Sequence, residues 1–289
     1  MSLIRQSPCK INLLLNILGR RSDGFHELET VLQPVPLCDE LQFERGGRDI
    51  RLTCSNPELP TDTTNLVHRA AAVFLNRAKI TDGVRIHLEK RIPMAAGLGG
   101  GSGNAAITLQ GLNRLFDEPL RADEIGELAV SLGSDVPFFL QNSPALATGR
   151  GEQIVALDRF AALGGVHVLL IHPGFGISTA WAYQALAKYP DALNGRPGRA
   201  HEVIALLQRT DLNGAARAFY NSLEAPALEK YPLLALFREF LASEGAAALM
   251  SGSGSTTFAL VSGQGAAEQL IEKFKGRFGE SHWTAVVPL

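Results

Sequence analysis

Two periods of hydrophobic and polar positions alternate along this chain, and the period assigns most of its elements. "KINLLLNIL" (10–18) is dense in Ile and Leu and ends at Gly19. It reads as a strand entering the polar loop "GRRSDGFHE". "TVLQPV" and "ELQFER" read as two further strands, with "RDIRLTCS" after the Gly46-Gly47 turn. In "TTNLVHRAAAVFLNRA" (63–78), Leu66, Val67, Ala70, Ala71 and Phe74 recur at helical spacing. "GVRIHLEKRI" alternates Val84, Ile86 and Leu88, as a half-buried strand does. Beyond a glycine-rich stretch, Ala105, Leu109, Leu112 and Leu115/Phe116 fall on one helix face. "ADEIGELAVSLG" is a second helix, with Asp123 and Glu124 near its start and Gly133 closing it. "PALATGRGEQIVAL" reads as a hairpin turning at Gly149 and Gly151.

A second module begins near residue 160. "GVHVLLIHPG" is a buried strand, followed by a helix around Trp181 to Ala187. "YPDALNGRPGR" reads as a linker before two or three more helices. "AAALMSGSGSTTFALV" is strand, tight Gly/Ser turn, strand; "GAAEQLIEKFK" is a helix and "HWTAVV" a last strand. Strands and helices fall in mixed runs without strict alternation, which predicts an α+β protein of two domains, 1–158 and 159–289.

Composition narrows the function classes. The 289 residues are 46% hydrophobic and 19% charged, with 27 basic against 29 acidic side chains and a net charge of −2. Such a balance argues against a nucleic-acid coat or a membrane-surface protein. Cys9, Cys38 and Cys54 are odd in number and lack C-x-x-C spacing, which fits a reducing cytoplasm better than a disulfide framework. The apolar N-terminal stretch is broken by Asn12 and Asn16 and carries no small-residue cleavage site, so it reads as a strand.

The chemistry concentrates in "PMAAGLGGGSGNAA" (93–106), with five glycines in seven residues between a strand and a helix. A helix N-terminus presents unpaired N–H groups, and glycines let the backbone approach an anion. This predicts a phosphate cradle; the competing reading is a turn with no ligand. No G-K-[ST] triplet follows, G-x-G-x-x-G fails because Ser102 holds the sixth place, and H-R-D and D-F-G are absent. Asp135 precedes the apolar run Val136-Pro137-Phe138-Phe139, so it is either a helix cap or a carboxylate in a partly desolvated site. Lys10 lies among apolar strand residues, either reaching solvent from an edge or buried and paired.

The glycine stretch resembles the P-x-x-x-G-L-G-x-[GS]-S motif of the GHMP kinases. "SPCKINLLLNILGRRSDGFHELETVLQ", "SLGSDVPFFL", "ATGRGE", "HPGFGISTAWAY", "NSLE" and "SGSGSTTFAL" follow the order of one branch, whose acceptor is a cytidyl diphosphate-linked methylerythritol. The resemblance covers nearly the whole chain. It implies an N-terminal domain of ribosomal-S5-like type, a ferredoxin-like C-terminal domain, and ATP meeting the acceptor in a cleft between them. The activity implied is ATP-dependent phosphorylation of the acceptor's 2-hydroxyl, a step of non-mevalonate isoprenoid precursor synthesis.

The resemblance also implies roles. Asp135 would accept the proton of the attacking hydroxyl, and Lys10 would keep that carboxylate ionised and neutralise the moving phosphoryl group. Pro93, Met94, Ala95, Ala96, Gly97, Leu98, Gly99, Gly100, Gly101, Ser102 and Gly103 would cradle ATP, with Asn65 and Lys90 near the adenine. Phe25 and Tyr183 would stack on cytosine, His26 would bond its polar edge, and Asn12 and Thr179 would contact the sugar or erythritol end. The competing readings are core packing for Phe25 and Tyr183, and plain surface positions for His26, Asn65 and Lys90. Magnesium would come with the ATP phosphates, with Ser102 the one candidate side-chain contact and no other protein ligand. The remaining expectations are a small-molecule substrate, no nucleic acid, no membrane, and a monomer or weak homodimer in the cytoplasm. Three departures stand out: Gly103 in place of a second serine, Cys9 in place of alanine, and Phe25 in place of tyrosine. Two other functions stay open, a GHMP kinase of homoserine or mevalonate type and a non-catalytic nucleotide-binding regulator of the same fold.

Overall fold

The computed structural model describes residues 2–289. They form two compact units that interleave along the sequence. One takes the chain up to Cys9, Leu37–Pro93 and Gly99–Asn142; the other takes Lys10–Pro36, Met94–Leu98 and Ser143–Leu289. The interleaving follows from two long strands, β1 (Ser2–Arg20) and β2 (His26–Arg45), each with residues in both units. β1 is longer than the expected 10–18, and the two strands expected at "TVLQPV" and "ELQFER" are one. Pro34 and Pro36 do not break β2. It pairs with β5 (Ala145–Gly149) over Leu28–Leu32 and with β4 (Val84–Glu89) over Glu40–Arg45. Both prolines fall between these two pairings, where a missing N–H costs neither of them a bond, and β1 lies beside β2 as a third hydrogen-bonded partner.

In the first unit, β3 (Ile50–Cys54) runs parallel to β4, which runs antiparallel to the C-terminal half of β2. Helices α1 (Leu66–Ala78), α2 (Gly100–Leu115) and α3 (Ala122–Leu132) pack on one another. The periodic residues of the sequence are the buried ones: Val67, Ala70, Ala71 and Phe74 of α1, and Ala105, Leu109, Leu112 and Leu115 of α2. Phe116, expected to extend that face, is the C-cap.

In the second unit, β5 and β6 (Gln153–Ala156) form the expected hairpin. A separate antiparallel sheet has the order β11-β7-β10-β9, from β7 (Val166–His172), β9 (Ala247–Met250), β10 (Thr257–Ser262) and β11 (Trp283–Pro288). Helix α4 spans Thr179–Ala185. The stretch read as a linker holds a short helix, α5 (Pro190–Leu193), because Pro190 sits in the first turn, where its missing N–H is harmless. Four helices follow instead of two or three: α6 (Arg199–Gln208), α7 (Leu212–Ala218), α8 (Glu224–Lys230) and α9 (Pro232–Ser243). Between α7 and α8, β8 (Tyr220–Asn221) lies parallel to β1. The core joins Leu169, Ile171 and Ala259 of the sheet to Leu234, Phe237 and Leu241 of α9 and to Leu270 and Phe274 of α10 (Gln264–Phe278). The α+β class read from the sequence holds. Among the described residues, no helix is long and apolar enough to cross a membrane.

Candidate active site

The glycine stretch enters α2 through Gly99, whose backbone is left-handed (φ 69°), and no side chain caps the helix. The first N–H groups of a helix have no intrahelical partner and carry its positive end. No acidic residue stands in this first turn, so nothing competes with an anion there. Left-handed backbone recurs at alternate positions, Ala95 (φ 50°), Gly97 (φ 75°) and Gly99, the kind of conformation from which anion-binding concavities are built. Gly101 is exposed, and Ser102 and Gly99 are half-buried. This backbone fits a phosphate chain.

In the first unit, both flanks of the stretch are tied to Asp39, which is fully buried. Its carboxylate accepts from Arg91 N (2.7 Å), Ile92 N (2.8 Å), Lys90 Nζ (2.7 Å) and Asn104 Nδ2 (3.0 Å). Residues 90–92 precede the glycines and Asn104 follows them, so one carboxylate ties both sides of the glycine run. Lys90, expected near adenine, has a buried side chain whose ammonium is shared between Asp39 and the Ile92 carbonyl. Asn65, expected beside it, caps α1: Oδ1 accepts from Val67 N (2.8 Å) and Nδ2 donates to Pro60 O (2.6 Å). Asp135 lies half-buried in the turn after Gly133, flanked by buried Val136, Phe138 and Phe139. It is not a cap: Val136 holds the N-cap position of the 3-10 turn Pro137–Leu140, with no side-chain bond.

In the second unit, β1 carries Lys10 and Asn12 inward, 3% and 4% exposed. The edge-lysine reading is thereby excluded. Lys10 Nζ donates to Asn12 Oδ1 and to the Gly97 carbonyl, both at 2.6 Å. Asn12 Nδ2 donates to Thr30 Oγ1 (2.8 Å). Ser251 Oγ also donates to Gly97 O (3.0 Å), and Thr256 N to Ala96 O (3.1 Å). Gly97 has no room for a side chain, since a Cβ there would lie 2.0 Å from Ser251 O. The "SGSGST" turn thus braces residues 96–97, as a third motif supporting the phosphate loop would.

His26 and Tyr183 come together, with ring centroids 5.1 Å apart and planes tilted by 36°. Phe25 is 50% exposed, and the Arg150 guanidinium lies 4.7 Å from its ring centre. Core packing is therefore excluded for Phe25. Burial, and secondarily the Arg20 charge, holds the His26 pKa below the ordinary imidazole value. The neutral ring offers one N–H and one lone pair. Thr179 Oγ1 is 2.9 Å from Ser253 Oγ, joining the start of α4 to the "SGSGST" turn.

Sequence reasoning missed Asp39, Asn104, Thr30 and Arg150. Asp39 carried a signal: it has the same strand parity as the buried Leu41 and Phe43, so the period of two points it inward. Thr30 and Arg150 carried none, since their partners are distant in sequence.

Comparison with known proteins places the chain in a family. The model of the GHMP kinases N terminal domain matches residues 65–143, and that of the GHMP kinases C terminal matches 203–280. The chain is 42% identical over 278 residues to a 4-diphosphocytidyl-2-C-methyl-D-erythritol kinase of Synechococcus sp. (strain JA-3-3Ab), covering 94% of this chain and 89% of that one. It is 40% identical to the kinase of the same name from Syntrophotalea carbinolica, covering 94% of each. A crystal structure of 4-(cytidine 5'-diphospho)-2C-methyl-D-erythritol kinase superposes with a TM-score of 0.79 at 35% identity, over 99% of this chain and 100% of that one. Homoserine kinase from Cytophaga hutchinsonii shares the fold, with a TM-score of 0.77 at 19% identity, over 99% of this chain and 94% of that one. The chain belongs to the GHMP kinases, in the family of the 4-diphosphocytidyl-2-C-methyl-D-erythritol kinases.

Proposed function

We propose that this kinase transfers the γ-phosphoryl group of ATP to the 2-hydroxyl of 4-diphosphocytidyl-2-C-methyl-D-erythritol, in non-mevalonate isoprenoid precursor synthesis. The observation that carries the reading is Lys10, a buried ammonium held on the carbonyl of Gly97 inside the glycine stretch. A buried ammonium must be hydrogen-bonded or paired, as Lys10 is, and phosphoryl transfer draws on fixed positive charge. Lys10 stabilises the migrating group, and Asp135 accepts the proton of the acceptor hydroxyl. Residues 93–103 bind the phosphates through backbone N–H groups, with Ser102 adding a hydroxyl. His26 reads the cytosine edge, Phe25 and Tyr183 supply aromatic faces, and Asn12 and Thr179 face the polyol. Asn65 and Lys90 shape the nucleotide end through the backbone they hold.

A magnesium ion held by the ATP phosphates would supply charge neutralisation, and Ser102 is the one side chain of the glycine stretch that would add an oxygen to it. The two family matches lie on either side of the expected division at residues 158/159, whereas the compact units interleave across it. The near-neutral charge speaks against a surface built for nucleic acid or membrane, and the reading is completed by a cytoplasmic monomer or weak homodimer acting on a small molecule. The test is ATP consumption with the cytidyl acceptor, homoserine and mevalonate side by side. Turnover with the cytidyl acceptor alone is expected. Turnover only with homoserine or mevalonate defeats the reading, and none with any acceptor in a folded sample favours a regulator.

A further inference from the structure

The "NSLE" segment, Asn221–Glu224, has no part in the reading above, yet three of its four residues are polar and buried. Their bonds run in two directions. Toward β1, Leu15 pairs with Asn221, Ser222 N donates to Leu15 O (2.8 Å), and Ile17 N donates to Ser222 Oγ (2.9 Å). Toward the "SGSGST" turn, Asn221 Nδ2 donates to both Met250 O (2.8 Å) and Gly252 O (2.7 Å). Glu224 Oε1 accepts from Met250 N (2.8 Å), and its other oxygen meets Arg238 Nη1 at 3.0 Å. Asn221 Oδ1 is occupied by Leu223 N (2.9 Å), which fixes the orientation of its amide.

The strand gripped on one side is the strand that carries Lys10. The turn gripped on the other packs against Lys10 itself: a Cβ on Gly252 would lie 3.0 Å from Lys10 Nζ and 3.0 Å from Gly97 O. Ser251, between the two clamped carbonyls, donates to the same Gly97 oxygen that accepts from Lys10. We infer that Asn221 and Glu224 are positioning residues: they clamp the 250–252 backbone to β1 and so fix the lysine ammonium and the Gly97 carbonyl in register. Apolar residues at 221 and 224 would leave three backbone groups of the turn without these partners, and the turn free to withdraw from Lys10. The catalytic part of the inference rests on the function proposed above; the mechanical part does not.

The experiment compares wild type, Asn221→Ala, Glu224→Ala and Glu224→Gln, with thermal melting as the check on folding. Two readouts are taken: the rate at which an amine-directed acylating reagent modifies Lys10, mapped by peptide mass, and the steady-state constants with the cytidyl acceptor. In Asn221→Ala, acylation of Lys10 should speed up about tenfold as the turn opens locally. Turnover should fall about 10–100-fold while KM for the acceptor moves less than about threefold, because small displacements of a catalytic group act on the chemical step. Glu224→Gln keeps an acceptor for Met250 N and should recover most of what Glu224→Ala loses. If Asn221→Ala does not fold, the two Glu224 variants decide by the same readouts. Unchanged Lys10 acylation, or unchanged kcat in an active and folded variant, overturns the inference. A wild-type protein that turns over none of the acceptor overturns the proposed function instead, and Lys10 acylation still decides the clamp.

Discussion

Gly103 stands directly against Pro8. A Cβ on Gly103 would lie 2.8 Å from the Pro8 carbonyl oxygen and 3.0 Å from Ser7 Oγ. The missing second serine of the glycine stretch therefore reflects close packing between α2 and β1 in the first unit. Any side chain at 103 must push a backbone carbonyl aside. Replacing a helix-interior glycine by alanine ordinarily gains about 0.5–1 kcal/mol, but overpacking costs about 1–3 kcal/mol. Gly103→Ala should thus be net destabilising and lower the melting temperature by a few degrees. Gly103→Ser should be milder, because its hydroxyl meets Ser7 Oγ, a buried oxygen with no hydrogen-bond partner. A rise in melting temperature for Gly103→Ala would show that the contact is slack.

With position 103 closed to side chains, Ser102 is the sole hydroxyl between Pro93 and Gly103. A hydrogen bond to a charged group contributes about 1.5–3 kcal/mol, so Ser102→Ala should raise KM for ATP about tenfold or more. KM for the acceptor should stay within about twofold. Normal ATP affinity and rate in that variant would mean that backbone N–H groups alone hold the phosphates.

Asp39 and Lys90 form a buried pair in which each side chain also holds backbone. Removing one partner of such a pair costs about 3–5 kcal/mol, while replacing both is milder. Asp39→Ala should therefore be strongly destabilising in denaturant titrations. Asp39→Ala combined with Lys90→Met should recover part of the loss. Additive losses in the double variant would show that the backbone bonds of Asp39, not its charge, are what matter.

Much of the fold was legible because its signals are local. Val67, Ala70, Ala71 and Phe74 announced α1, and the continuous apolar run Val168–Ile171 announced a strand buried on both faces. The reading failed where tertiary pairing overrides local punctuation: two strands were expected at "TVLQPV" and "ELQFER", yet β2 runs unbroken from His26 to Arg45 through Pro36. The same division applies to the site. The glycine stretch is contiguous and could be read directly. The task of Lys90 could not, since it depends on a carboxylate 51 residues away that only folding brings near, whereas the cap made by Asn65 is local and its signal, an Asn just before the helix, was there to be read.

His26 gives a pH test with a definite sign. Burial lowers its pKa, so folding favours the neutral ring. A depressed imidazole contributes stability that is present above its unfolded value, about 6.5, and lost as pH falls through the lower folded value. Reading a cytosine edge needs the lone pair that protonation removes. KM for the cytidyl acceptor should be flat from neutral pH down past the ordinary imidazole range and rise only below it. His26→Gln, which keeps a donor and an acceptor without titrating, should flatten that rise. An unchanged profile in His26→Gln would assign the titration elsewhere.

In the proposed mechanism, Asp135 and Lys10 divide the chemistry unequally. A carboxylate is a weak base toward an alcohol. In the loose transition state of phosphoryl transfer, positioning and charge neutralisation carry most of the acceleration. Asp135→Asn keeps the shape and loses the proton acceptor, so turnover should fall about 10²–10⁴-fold while nucleotide binding survives. Lys10→Met loses the ammonium and leaves Asn12 Oδ1 and Gly97 O without its donation, although Ser251 Oγ still serves Gly97. Its turnover should fall at least as far. Groups that act as a unit are not additive, so the double variant should be little slower than the worse single one. Stopped-flow binding of a nucleotide analogue separates this from a folding defect, because both variants should still bind. Fully multiplicative losses would mean that Lys10 and Asp135 serve independent steps, and near wild-type turnover in Asp135→Asn would remove the carboxylate from the mechanism.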